Sequence, residues 1–593
     1  MARRNTYKED EVLETPFDVK HLLRALVYVK KYGKEMVIAF VLSALGAIAA
    51  LFSPMITQLA LDLAIPNKDK EMLFFLGGLL ILCFVISIIF FTIRQRIMTD
   101  VGQNIIYDIR HDLFEHLQEL PFQYYDDRPH GKIMVRVVNH VNSVSDMLSN
   151  GLINIALECL NLVFIVIFML IMDVKLALVV LAGVPFLAVF MMWIKNKQRK
   201  AWQSFSNKNS NLNAYLQENI VGAKITQIFA REEENEKIFT GLSKDARGAW
   251  MEAVTYSNLV WPGIDNISVA IRAAIYIFGL VVFTGGHETV GVIIGISSYA
   301  ARFWQPIMNL GNIFNNFINN VAYLERIFET IDEPVTIKDA EDAQPMKKIK
   351  GKVEFKNVTF GYEEGVTVLD NVSFTVEPGE SVALVGPTGA GKSTIVNLLS
   401  RFYDLNDGAI TIDGEDISKV TLKSLRSQMG IMLQDSFIFS GSIADNIRYG
   451  KLDATDEEIV SAAKTVCADD FISRMPDNYA TEVHERGSLL SQGQKQLVSF
   501  ARTLISDPAI LILDEATSSI DVQTERALQT GLNAMLEGRT SFIIAHRLST
   551  IKGCDKIMYV DNHGIMECGS HEELMAKKGY YYKLYTAQMS DIA

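Results

Sequence analysis

Six stretches of the chain, residues 36–65, 74–93, 147–172, 174–194, 257–283 and 290–312, are almost unbroken runs of apolar side chains. A helix needs about 20 residues to cross the hydrocarbon core of a bilayer, and each run is long enough. Six such runs before residue 330 predict a bundle of membrane spans rather than buried helices of a soluble core. The connectors alternate in length. Those after the first, third and fifth runs are short (66–73, around Asp173, and 284–289), whereas those after the second and fourth take about 50 and about 60 residues. The long ones hold the basic excess, with Arg94, Arg96 and Arg110, then Lys195, Lys197, Arg199 and Lys200. The positive-inside rule puts them, and with six spans both termini, in the cytosol. Residues 94–146 and 195–256 keep apolar positions at helical spacing with few breakers. Each predicts two helices reaching beyond the membrane, joined by a turn at Asp127-Arg128-Pro129-His130-Gly131 and near Gly222-Ala223-Lys224.

A polar, charged stretch at 332–350 reads as a linker. After Gly351 the pattern changes to short β-rich runs alternating with helices, as in an α/β domain. The buried-strand run Ser381-Val382-Ala383-Leu384-Val385 leads into Gly386-Pro387-Thr388-Gly389-Ala390-Gly391-Lys392-Ser393-Thr394 and then an apolar helix. This is the phosphate-loop pattern. Its glycines let backbone N–H groups wrap phosphates, its lysine reaches the β/γ-phosphates, and its serine hydroxyl meets Mg²⁺. A second strand, Ile510-Leu511-Ile512-Leu513, ends in Asp514-Glu515. Asp514 can hold Mg²⁺, and Glu515 can orient and polarise an attacking water. Taken alone the acidic pair could be a helix cap; beside a phosphate loop it points to an ATPase that uses ATP and Mg²⁺.

Within the spans the polar positions are few. The sixth run carries Arg302, Gln305, Asn309, Asn312, Asn316 and Asn319, spaced 3, 4, 3, 4, 3 and so on one helical face. Such a stripe is costly against lipid and predicts a water-filled path or a partner chain. At 1.5 Å per residue, Arg302, Arg272 and Glu158 lie roughly 18, 20 and 22 Å below the outer ends of their spans. The common depth predicts that Glu158 pairs with one arginine, within the bundle or along a substrate path.

Composition narrows the picture further. Over 593 residues the hydrophobic share is 49%, the charged share 21% and the formal charge −13. That balance fits one greasy and one ordinary region, and it argues against a nucleic-acid partner. The five cysteines form no CxxC pair, so neither a disulfide framework nor a zinc site follows. The charged N-terminal stretch lacks a signal-peptide core.

Leu489-Leu490-Ser491-Gln492-Gly493-Gln494-Lys495-Gln496 resembles the signature sequence of ABC ATPases, about twenty residues before the Asp514-Glu515 pair. With it the chain resembles ABC exporters over nearly its whole length. That family has an α-helical six-span transmembrane domain with long cytosolic helical extensions, followed by an α/β P-loop ABC ATPase domain. The resemblance implies a cytosolic segment with an elbow helix at 1–35, the membrane domain at 36–331, the linker at 332–350 and the nucleotide-binding domain at 351–593. It assigns Tyr362 to adenine stacking, Gln434 to the Q-loop and to the metal, Glu485-Arg486-Gly487 to the x-loop, Asp521 to the D-loop and His546 to the switch position. It also implies that Ser491, Gly493 and Gln494 serve a nucleotide bound by a second ABC half-transporter, because the chain has one phosphate loop and one signature. Gln492 and His484 stand where glycine is common, and with Glu515 retained they favour a heterodimer over a homodimer. The expected activity is ATP-driven, multidrug-exporter-like export across or between membrane leaflets, of a small molecule, lipid or peptide, in a bacterial plasma membrane. The alternative is an ATP-gated channel or regulatory subunit, usually marked by large added segments that are not evident here.

Overall fold

The computed structural model describes residues 19–126, 128, 130–282, 289–363, 365–432, 436–514, 522–544 and 548–590. It divides into two compact units. One comprises Met1–Gln118 with His130–Glu333, the other Glu119–Pro129 with Pro334–Ala593.

The first unit is helical. Among the described residues, Gly33–Ala64, Lys70–Glu119, His130–Met172, Val174–Val221 and Glu232–Leu280 are long and apolar enough to cross a membrane. Val290–Ile331 is the sixth long helix, and it is not among those five because Arg302, Gln305 and its flanking polar residues dilute its apolar run. Its inward face is nonetheless core: Ile293, Ile296, Tyr299, Ala300, Phe303 and Trp304 are buried. They pack with Leu51 of span one, Ile165 and Met169 of span three, Leu176, Val180 and Leu187 of span four, and Ile264, Ile271 and Ile275 of span five. The three- and four-residue steps between these positions put one face of each helix inward. The two long connectors are helical continuations of the spans. The first breaks before Pro121, inserts a short helix, Phe122–Asp126, and resumes helix at His130, so the turn expected at Asp127–Gly131 is preceded by an additional break. The second breaks at Gly222 and inserts Ala223–Ile228.

In the second unit a six-stranded sheet runs, in spatial order, Gly564–Gly569, Lys556–Asp561, Ser381–Val385, Thr540–Ile544, Ile510–Asp514, Met429–Met432. All neighbours are parallel except the first pair. A four-stranded antiparallel sheet built on Val353–Phe360 covers one face. The two-residue period of a strand explains the layering. Val382, Leu384, Ile510, Ile512, Phe542 and Ile544 join a core with Val353 and Phe355 of the antiparallel sheet. Ala383, Val385, Leu511, Leu513 and Ile543 point the other way, onto Leu497, Val498 and Phe500 of the helix Gln492–Leu504.

Candidate nucleotide site and membrane polar residues

Strands Ser381–Val385 and Ile510–Asp514 flank Thr540–Ile544, whose last residue stands opposite both Leu384 and Asp514. The register therefore brings the phosphate loop, Asp514 and the end of the strand Thr540–Ile544 to one end of the sheet, the carboxyl ends of parallel strands where open α/β folds bind ligands. Glu515, Asp521, His546 and Gln434 lie outside the described residues.

The loop Gly386–Thr394 has a backbone conformation suited to cradling an anion. Gly386, Gly389 and Gly391 have φ of 143°, 83° and 100°, a region closed to most side chains. A Cβ on Gly386 would also sit 2.1 Å from Val560 O. Lys392 is 8% exposed, and its ammonium donates to Gly386 O and Pro387 O, both at 2.8 Å. The lysine thus folds back on the carbonyls of its own loop, inside the cradle that the positive-φ glycines shape. Burial pushes the Lys392 ammonium below its ordinary range, and the Asp514 carboxylate opposes that shift. Ser393, one residue on, is exposed toward solvent, and Thr394 is buried with Tyr362 Oη 3.1 Å from its hydroxyl. Tyr362 remains 38% exposed, held edge-on by Phe360 and Tyr403. One flank of its ring is held and one is available to a base.

Ser491 is the N-cap of Gln492–Leu504. Its Oγ accepts from Gln494 N while Gln494 Oε1 accepts from Ser491 N, a reciprocal capping box. Accepting one bond leaves the hydroxyl proton free to donate outward, at a helix N-terminus that favours anions. Gly493 is buried and Gln492 exposed. His484 precedes the x-loop, whose Arg486 adopts φ 54°.

In the membrane unit the expected Glu158–arginine pair is not made. Glu158 Oε1 accepts from Asn309 Nδ2 at 2.6 Å, and Asn309 accepts from Gln305 Nε2 at 2.9 Å. Arg272 lies 4.0 Å from Asp265 on its own helix. Arg302 instead donates to Ala50 O at 2.9 Å. The reason lies in span one. Pro54 has no N–H, so the carbonyl four residues earlier, Ala50 O, loses its helical donor. Arg302 supplies one, and Tyr299 Oη donates to the next carbonyl, Leu51 O, at 2.5 Å. Glu158 meets the sixth long helix at Asn309, seven residues beyond Arg302, and the guanidinium goes to a main-chain acceptor orphaned by proline. Asn312 and Asn316 are exposed; the Asn319 side chain lies outside the described set. The proline four positions after Ala50 was the overlooked signal.

A second missed feature is aromatic. Phe122 of the short helix Phe122–Asp126 stacks on Phe402 at 5.3 Å, with the Arg426 guanidinium 5.0 Å from the Phe402 ring centre. Tyr403 Oη donates to Asp126 at 3.2 Å. The run Arg401-Phe402-Tyr403 just after the phosphate-loop helix was its visible trace.

A membrane helical bundle joined to a P-loop sheet with a signature helix defines a transporter powered by an ATPase. The comparisons agree. The ABC transporter transmembrane region matches residues 36–307, and the family described as ABC transporter matches residues 369–518. The uncharacterized ABC transporter ATP-binding protein YknV of Bacillus subtilis (strain 168) is 41% identical over 98% of this chain and 97% of its own. The "Probable multidrug resistance ABC transporter ATP-binding/permease protein YheH" of Bacillus subtilis (strain 168) is 38% identical over 86% of this chain and 76% of its own. A bacterial Atm1-family ABC exporter solved with ATP bound aligns with a TM-score of 0.76 at 30% identity, covering 94% of this chain and 98% of that one. The chain belongs to the ABC transporter family, in its exporter branch with membrane and ATPase regions fused. It is an integral membrane protein and an ATPase coupled to transport.

Proposed function

We propose that this chain is one half of a paired exporter that moves an amphipathic small molecule or lipid out through a bacterial plasma membrane, with both termini and the ATPase unit in the cytosol. The observation that carries the pairing is the second cytosolic tip. Ile220, Val221, Ile225, Ile228 and Phe229, on and beside the helix Ala223–Ile228, are 58–83% exposed. An apolar cluster of this kind outside the membrane marks an interaction surface. The first tip, by contrast, packs against its own ATPase unit through Phe122 and Phe402. A single phosphate loop and a single signature in the chain support the same reading. The irregular signature, with Gln492, and the retained Glu515 favour an unlike partner.

In this reading, Tyr362 stacks on adenine, while Lys392 and the N–H groups of Gly386–Thr394 hold the phosphates. Ser393 and Asp514, with Gln434, would hold Mg²⁺, whose charge offsets that of the phosphates. Glu515 orients and polarises the attacking water, and His546 steadies the γ-phosphate. Ser491, Gly493 and Gln494 donate across the interface to the partner's nucleotide, and Asp521 lies on the same seam. ATP then glues the two ATPase units together, and the short helices at the tips carry the motion to the spans. The polar face from Glu158 and Asn309 to Gln305 and Asn312 lines the substrate path, with Arg272 at the same depth. Arg302 belongs to the scaffold of that path.

The assembled transporter in inside-out vesicles should accumulate a lipophilic dye such as Hoechst 33342 against its gradient when given MgATP, and the Lys392→Ala chain should not. Dye flux that runs down its gradient in either direction and is indifferent to Lys392→Ala would instead favour a gated channel.

A further inference from the structure

Spans four and five enclose an open groove of about 800 Å³ that the nucleotide site and the polar path do not use. Its volume lies in the range of sites for drug-sized ligands, about 300–1,000 Å³. Four small residues make the trough, Ala182 and Gly183 on one helix, Ala270 and Ala274 on the other. Gly183 is buried where the first part of span four, Val174–Ala182, gives way to Val184–Val221. A Cβ there would sit 2.1 Å from Ile271 Cδ1, so the glycine is what allows this close approach. The rims are large and apolar: Leu178 is 57% and Phe186 72% exposed. Every lining residue is apolar except Lys175, in the first turn after the Asp173 cap.

Two features of the groove narrow its occupant. From Lys175 to Phe186 it runs along eleven helical residues, roughly 16 Å at 1.5 Å per residue. That is the thickness of one leaflet, about half of a 30 Å hydrocarbon core. Its single cation stands at the membrane-surface end, where a headgroup lies, and everything deeper is apolar. We propose that this groove binds the acyl chain of an anionic phospholipid from the leaflet at the Asp173 end, with Lys175 facing the headgroup phosphate. The binding depends on neither ATP nor the direction of transport, so it stands or falls separately from the export reading.

The test is native mass spectrometry of the assembled full-length transporter incubated with equal amounts of phosphatidylglycerol and phosphatidylcholine of identical chains. The unmodified protein should retain phosphatidylglycerol about fivefold over phosphatidylcholine, the scale of one lysine at an anionic surface. Lys175→Gln should bring the two to parity while ATP turnover stays normal. Ala270→Trp, which fills the trough, should reduce retention of both. Equal retention by the unmodified protein, or a preference that survives Lys175→Gln, would overturn the proposal. So would lipid binding indifferent to Ala270→Trp, or a groove sealed by the second subunit and free of lipid until that subunit is removed.

Discussion

Lys392 and Arg302 show how one kind of observation, a cation turned onto main-chain carbonyls, has two meanings. Lys392 bonds the carbonyls of its own loop, in a cradle shaped by positive-φ glycines, and an anion would displace that contact. Lys392→Ala should therefore abolish ATP binding, measured by fluorescent-nucleotide titration, while the fold persists. Arg302 bonds a carbonyl whose usual helical donor is missing at Pro54, and nothing needs to displace it. Arg302→Met should lower thermal stability by about 1 kcal/mol, the scale of a membrane hydrogen bond. Pro54→Ala restores the missing N–H, so the same substitution in that background should cost measurably less. Equal costs in the two backgrounds would refute the scaffold role of Arg302. The sequence could place Arg302 on a helical face and at a depth. It could not say which acceptor the guanidinium would choose, because that choice rests on a contact between residues 252 positions apart.

The short helices in the turns of the two long connectors are the elements that periodicity read least well. Phe122–Asp126 spans five residues and Ala223–Ile228 six, too few turns to show a helical repeat. Their fates differ because of what meets them. Phe122 finds Phe402, itself backed by Arg426; an aromatic pair of this kind contributes about 0.5–1.5 kcal/mol beyond burial. Phe122→Ala should leave ATP binding intact but blunt the stimulation of ATP turnover by transported dyes. The second tip keeps its apolar residues outward. Ile225→Asp should weaken association of the two halves, seen as a shift toward the single-chain species in light scattering. The spans and the strands were legible because each repeats its period several times. The core alternation along Ile510–Asp514 and the four-three-four steps of Ile264, Ser268, Ile271 and Ile275 are direct examples.

At the scale of the whole molecule, the sequence announced the order of regions, a helical membrane domain and then an ABC ATPase, since the motifs that mark the second are local strings tied to strand ends. The sixth span was legible only as a compromise. Its polar stripe makes it the least lipid-like of the long helices, yet its opposite face is among the best buried. That division suits a helix placed between a packed bundle and an aqueous path. The central claim is that this chain converts ATP hydrolysis into transport through Glu515, and its most direct test is ATP turnover by the reconstituted full-length transporter carrying Glu515→Gln. Removing a group that acts only on the attacking water should cut turnover by about a hundredfold or more, with ATP still bound and retained. Turnover at the unmodified rate in that variant would contradict the account.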